Sequence, residues 1–251
     1  MTQALAGTAA LVTGASSGIG EATAVALAEQ GARVALVARR KDRLEALAER
    51  IGGGALVIEA DITDPAQAQH AVNSAVAEFG RLDTLVNNAG VMLLGPIVDA
   101  PLEEWQRMVH LNVIGLLYCT HAALPHLIAA ADRDPRSVAD VVNISSTAGR
   151  VARMNSGVYN ATKFGVGAFS ESLRQEVTTR HVRVTLIEPG ATATELAFHN
   201  RPVILEEMAK TFGGIEVLRA EDIANGVLYA VTQPRHVAVN EVLIRPTEQE
   251  R

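Results

Sequence analysis

Seven short runs rich in Val, Ile and Leu, at residues 9–13, 33–38, 55–60, 82–87, 138–144, 182–188 and 241–244, alternate with segments of helical period at 18–30, 42–51, 66–79, 103–129, 157–180 and 221–231. This alternation limits what the chain can fold into more than any other feature. A strand, a crossover helix and a second strand form a βαβ unit, and a chain of such units builds a parallel sheet. The apolar residues follow one another along most of the runs, as strands buried on both faces require. The fold class expected is therefore α/β, a single-domain Rossmann fold with a doubly wound, seven-stranded parallel sheet and helices on both faces. Gly31 and Gly80 follow helical segments as C-terminal caps, and Asp64-Pro65 opens the next helix. Residues 191–215 carry no clear strand or helix signal, and an irregular stretch of that length in a compact domain is usually a functional loop or lid. No linker or repeat divides residues 1–251, so one domain is expected throughout.

The first strand runs into Thr13-Gly14-Ala15-Ser16-Ser17-Gly18-Ile19-Gly20, directly before the first helix. Glycines there allow a tight turn and let the backbone approach a pyrophosphate, which rests on the positive end of the helix. The spacing, Gly-x3-Gly-x-Gly, departs from the common Gly-x-Gly-x2-Gly fingerprint, but its place in the first βαβ unit points to a dinucleotide site. Strand two ends in Ala38-Arg39-Arg40, where NAD sites commonly carry an acid for the ribose hydroxyls. A guanidinium at that place suits a 2′-phosphate, so NADP(H) is expected over NAD(H). Asp61, at the end of strand three, is placed to accept from the adenine amino group.

The net charge of −6 excludes a polyanion track, because nucleic-acid binding depends on clustered cations. The lone Cys119 cannot form an internal disulfide and reads as core packing, which favours a reducing, cytoplasmic setting. Residues 113–131 are apolar but interrupted by Thr120, His121, Pro125 and His126, as in a buried helix rather than a membrane span. The start of the chain lacks the basic segment of a secretion signal. The seven histidines show no metal-ligand spacing, and no metal is expected.

Taken with Asp61, Asn87-Asn88-Ala89-Gly90, Asn112, Ser146, Tyr159-x3-Lys163 and Pro189-Gly190 with Thr194, the glycine turn resembles the short-chain dehydrogenase/reductase family along nearly the whole chain. The resemblance implies a homotetrameric or homodimeric oxidoreductase, with Asn88 and Gly90 lining the cofactor. It also implies that Pro189, Gly190 and Thr192 approach the nicotinamide, and that Thr194 lies near the phosphates. The cofactor-binding set expected is Gly14, Ser16, Ser17, Gly18, Ile19, Gly20, Arg39, Arg40, Asp61, Ile62, Asn88, Ala89, Gly90, Tyr159, Lys163, Pro189, Gly190, Thr192 and Thr194.

Tyr159 and Lys163 share one helix face. A phenol titrates too high to act as a base at neutral pH, and a fixed ammonium beside it favours phenolate. Ser146, preferred to Ser145 by the family spacing, can donate to the substrate oxygen as charge develops there. The resemblance assigns Asn112 to a proton relay reaching Lys163. The catalytic set expected is thus Asn112, Ser146, Tyr159 and Lys163, acting on a small carbonyl or alcohol. Met92, Leu93, Leu94, Met154 and Val158 are candidates for an apolar substrate wall, and Arg150 and Asn155 for reading a polar substrate group. A non-enzymatic cofactor sensor on the same fold, or epimerisation or dehydration at the same site, are the competing readings. Helices 103–129 and 157–180 would supply an apolar four-helix dimer interface, as in the family.

Overall fold

A computed structural model describes residues 3–250 apart from Asp99 and Asp134, with the side chains of Thr211 and Phe212 also left aside. Its seven strands are all parallel, in the spatial order β3-β2-β1-β4-β5-β6-β7. They are β1 Ala9–Thr13, β2 Arg33–Ala38, β3 Ala55–Glu59, β4 Thr84–Asn87, β5 Ala139–Ile144, β6 Val182–Pro189 and β7 Glu241–Ile244. The chain runs outward from β1 to β3 and then crosses back to β4, which leaves a crevice beyond the carboxyl ends of β1 and β4. In open parallel sheets that reversal is where ligands bind.

The helices are α1 Gly18–Glu29, α2 Lys41–Ile51, α3 Pro65–Phe79, α4 Leu102–Val109, α5 Leu116–Ala131, α6 Gly157–Val177, α7 Pro202–Phe212 and α8 Ala220–Val231. Two apolar layers flank the sheet. One packs α3, α5 and α6 against residues such as Leu11, Leu85 and Val141; the other packs α1, α2 and α8 against Val12, Leu36 and Ile187. Successive residues of one strand thus feed opposite layers, which accounts for the unbroken apolar runs.

The uninterrupted helix expected over 103–129 is instead two helices joined by a π turn, His110–Gly115. Asn112 sits in that turn and bonds out of the helix, and Gly115 brings the turn against Ile62, where an added Cβ would lie 3.0 Å from the Ile62 side chain. Periodicity is blind to one extra residue in a turn. Residues Leu102–Ala131 are long and apolar enough to cross a membrane by length and composition, with mean hydropathy 1.5. In this fold, however, Cys119, Ala123 and Leu127 are buried in the core, and the Asn87 amide donates to the Thr120 hydroxyl at 2.9 Å. The same amide donates to Asn143 Oδ1 at 2.9 Å, and Asn143 donates to the Ser170 hydroxyl at 2.8 Å. This polar chain bolts α5 and α6 to the sheet beneath the crevice.

The stretch 191–215 is more ordered than its sequence suggests. It holds a 3₁₀ turn, Glu195–His199, and helix α7, which opens with Pro202 in its first turn. Residues 202–212 carry no clear strand or helix signal, whereas the structure makes them a helix whose Ile204 and Met208 face the crevice.

Candidate active site

The crevice is a cleft of about 710 Å³ above the carboxyl ends of the strands. Its floor is the glycine turn. Gly14 and Gly18 have φ of +66° and +56°, and a Cβ on Gly14 would lie 2.8 Å from Ala89 Cα. The turn is held from below: Asn88 Nδ2 donates to the carbonyls of Thr13 and Gly14 at 3.0 and 3.2 Å. Thr13 Oγ1 accepts from the backbone N–H groups of Asn88 and Ala89 at 3.0 and 3.1 Å. Asn88 therefore braces the turn besides lining the cleft. Gly20 is packed too closely against Gly14 and Asn88 for any side chain.

At the mouth near β2, Arg40 donates to Ser16 Oγ through Nε and Nη2, at 3.1 and 3.0 Å, and to Ser17 Oγ at 2.8 Å. The sequence argument rested on Arg39, but the structure makes Arg40 the residue tied into the turn. Arg39 is largely exposed and lies 3.9 Å from Asp61. Burial works against the charge of Asp61, yet the Thr63 N–H and hydroxyl, helped by Arg39, hold its carboxyl below the usual range. Gly14, Ser16, Ser17, Gly18, Ile19, Arg39, Arg40, Asp61, Ile62, Asn88, Ala89, Gly90, Pro189, Gly190, Thr192 and Thr194 all line the cleft; Gly20 lies just behind the floor.

Deeper in, Ser146, Tyr159 and Lys163 converge. Ser146 caps a short 3₁₀ turn after β5, accepting from the Ala148 N–H at 3.1 Å. Tyr159 and Lys163 come from the first two turns of α6. Burial raises the Tyr159 phenol to about 12, opposed only by a hydrogen bond with Ser146. Burial lowers the Lys163 amine to about 8, and its Nζ donates to the Ile144 carbonyl at 2.8 Å while standing 5.8 Å from the Tyr159 ring centre. In the protein alone burial therefore shifts the phenol toward its protonated form, opposite to the shift expected from the ammonium.

Asn112 lies beside Gly90, as Lys163 Nζ also does. Its Oδ1 accepts from the Val91 N–H at 2.8 Å, and its Nδ2 donates to the Val91 carbonyl at 2.9 Å and to Thr162 Oγ1 at 3.2 Å. It pins the segment after β4, next to Gly90, and no direct bond joins it to Lys163 among the described residues. Met92, Leu94 and Met154 line the cleft, whereas Leu93 and Val158 pack inward with Met108 and Tyr159. Asn155 lines the cleft; Arg150 does not, being paired with Glu188 and Glu241 outside it.

Several lining residues were not anticipated: Arg107, Arg153, Glu195, His199, Glu207 and Gln249. Gln249 Oε1 accepts from the Ala191 N–H at 2.8 Å and Glu248 Oε2 from the Glu216 N–H at 3.2 Å, so the C-terminal tail grips both ends of the segment after β6. The helical spacing of Ile204 and Met208 was the one local signal available; the others arrive through tertiary contact alone.

The model of the short chain dehydrogenase family matches residues 8–202, over the glycine turn, the Ser146, Tyr159 and Lys163 cluster and the Pro189-Gly190 turn. The chain belongs to this family. As a short-chain dehydrogenase it is an oxidoreductase with a nucleotide-binding Rossmann fold. It is 41% identical over 251 residues to glycine betaine reductase of Emericella nidulans, an alignment that takes in 98% of this chain but only 19% of that much longer protein. Among solved structures it is similar to the closed form of serine dehydrogenase complexed with NADP+, with a TM-score of 0.90 and 33% identity over 97% of both chains. It is also similar to 3-ketoacyl-(acyl-carrier-protein) reductase of Brucella melitensis complexed with NADH, with a TM-score of 0.86 and 30% identity over 96% of this chain and 98% of that one.

Proposed function

We propose that this short-chain dehydrogenase is an NADP(H)-dependent enzyme that reduces a small aldehyde or ketone to an alcohol, or runs the reverse reaction. The observation that carries this reading is the meeting of Ser146, Tyr159 and Lys163 at the closed end of a cleft whose other end is a glycine cradle rimmed by Arg40, Ser16 and Ser17. The cradle fits a dinucleotide: positive-φ glycines leave room for a pyrophosphate, and the Arg40 fork with two hydroxyls suits a 2′-phosphate.

A nicotinamide cofactor held there supplies the hydride. Ser146 positions the substrate oxygen and donates to it as negative charge develops. Tyr159, a neutral phenol, gives its proton to that oxygen in reduction and recovers one from solvent afterwards. Lys163 steadies the phenolate left behind, since a cation near a new anion in a dry site is worth more than in water. Asn112 is a positioning residue: two of its bonds hold the backbone at Val91, beside Gly90, and the third reaches Thr162.

Met92, Leu94, Met154, Arg153 and Glu207 give the substrate end both apolar and charged walls. The names of the relatives, a betaine reductase and a serine dehydrogenase, support including small charged oxo and hydroxy compounds among the candidates. We read segments 91–96, 148–151 and 244–249 as resembling clavulanic acid dehydrogenase in sequence, and on that reading add a β-lactam-derived aldehyde to the candidates. Exposed Leu102, Val109 and Phe164 on α4, the π turn's entry and α6 support pairing of two copies through these helices, in a homodimer or homotetramer. The buried Cys119 thiol suits a reducing cytoplasm.

The test is oxidation of NADPH against NADH over a panel of such carbonyl compounds. The reading expects a preference for NADPH, its reversal or loss in Arg40→Ser, and a fall in kcat of about a hundredfold or more in Tyr159→Phe with cofactor affinity kept. Full activity in Tyr159→Phe would refute the proton-donor role, and NADH preference in the unaltered protein would refute the cofactor assignment.

A further inference from the structure

Glu195 begins the 3₁₀ turn that follows β6, and its carboxylate reaches across the cleft mouth. Oε2 lies 2.9 Å from Arg40 Nη1 and Oε1 lies 2.6 Å from Arg43 Nη1. Both arginines belong to the opposite wall, at the start of α2. Arg40 is the residue that also holds Ser16 and Ser17, so an internal carboxylate occupies the guanidinium assigned above to the cofactor phosphate. Arg43, then Arg40, hold the Glu195 carboxyl at about 2, which makes it an anion at every working pH. His199, four residues on in the same turn, is kept below its usual range by burial and by Arg107 and Arg40, so it brings no compensating cation at neutral pH. Thr194, the preceding residue, lies over the glycine turn, its side chain 3.2 Å from where a Gly18 Cβ would be.

We propose that Glu195 is a specificity-determining latch: its carboxylate closes the segment after β6 onto Arg40 and Arg43, and the 2′-phosphate of NADP(H) displaces it, whereas a cofactor lacking that phosphate leaves it in place. The proposal rests on the NADP(H) reading. The exchange is ion for ion. A phosphate monoester carries about −1.5 to −2 at pH 7 and three acceptor oxygens, against one charge and two oxygens for the carboxylate. Arg40 therefore favours the phosphate, and the Glu195 turn is released from it.

The experiment uses the full chain with 2′,5′-ADP and ADP as probes, which differ only in that a 2′-phosphate replaces the terminal 5′-phosphate. In calorimetry, Glu195→Gln should bind 2′,5′-ADP about three- to fivefold more tightly than the unaltered protein, the scale of one partly exposed ion pair, while ADP affinity stays the same. In the unaltered protein, saturating 2′,5′-ADP should speed amide hydrogen exchange over residues 195–199, and ADP should not. A preference for 2′,5′-ADP that is equal in both forms, or exchange over 195–199 that does not rise, overturns the latch alone. Absence of any preference for 2′,5′-ADP over ADP in both forms overturns the NADP(H) reading and the latch with it.

Discussion

Lys163 carries a charge in water and is buried in this protein, and that conflict can be measured. Burial lowers its amine from 10.5 to about 8. Between those values the unfolded chain holds a proton that the folded chain has released, so stability rises with pH. The folded value lies below the unfolded one; the penalty is therefore complete below about pH 8 and fades as pH climbs toward the ordinary lysine range. At ~1.36 kcal/mol for each tenfold change in proton affinity, the penalty is about 3 kcal/mol at about pH 7 and about 1 kcal/mol at about pH 9.5. The unaltered protein should therefore gain roughly 2 kcal/mol of unfolding free energy from this group over that interval. Lys163→Met keeps the stem and removes the amine, and the gain should vanish. Its stability at neutral pH is less telling, because the substitution also strands the Ile144 carbonyl, a loss of about 1–3 kcal/mol. Cys119, buried and raised to about 12, titrates in both proteins, so its contribution cancels in the difference. Urea unfolding of both proteins without cofactor, followed by far-UV circular dichroism across this pH range, decides the matter. Equal pH slopes in the two would refute the claim that Lys163 is buried at the expense of its charge.

Three further outcomes follow from the geometry. Gly14→Ala places a Cβ 2.8 Å from Ala89 Cα at a positive φ and should cost about 1–3 kcal/mol in urea unfolding while weakening ADP binding; unchanged nucleotide affinity would refute the cradle. Asn112→Ala leaves the buried Val91 N–H and carbonyl unpaired and should destabilise by about 2–4 kcal/mol, with a larger effect on kcat than on substrate KM. Gln249→Ala releases the Ala191 N–H and should raise substrate KM with global stability within about 0.5 kcal/mol, whereas an unchanged KM would show that the tail does not shape the substrate end.

The fold was legible from residue order because burial on both faces of a parallel sheet leaves its mark in each strand separately. All seven strands and their parallel arrangement were readable from local apolar runs, with ends displaced by a residue or two. The glycine turn was equally plain, since only glycine tolerates the backbone of Gly14 and the close approach at Gly20. Tyr159 and Lys163 could be named because few residue types at helical spacing can move a proton, and Ser146 because the family resemblance singles it out from Ser145.

What stayed hidden depended on residues far apart in the chain. The π turn at Asn112 is chosen by Val91, which offers both backbone groups to its amide, and helical periodicity carries no trace of that. Helix α7 was lost because residues 191–215 carry no clear local signal, and Ile204 finds its burial only against the cleft wall. Arg40 took the anchoring place assigned to Arg39 because the direction of a side chain at a strand end is set by Ser16, Ser17 and Glu195, from two other parts of the chain. The effect of burial on the central pair was hidden for the same reason. Spacing along α6 puts an ammonium near a phenol, but depth of burial acts on each group separately, and only the packed tertiary structure determines that depth.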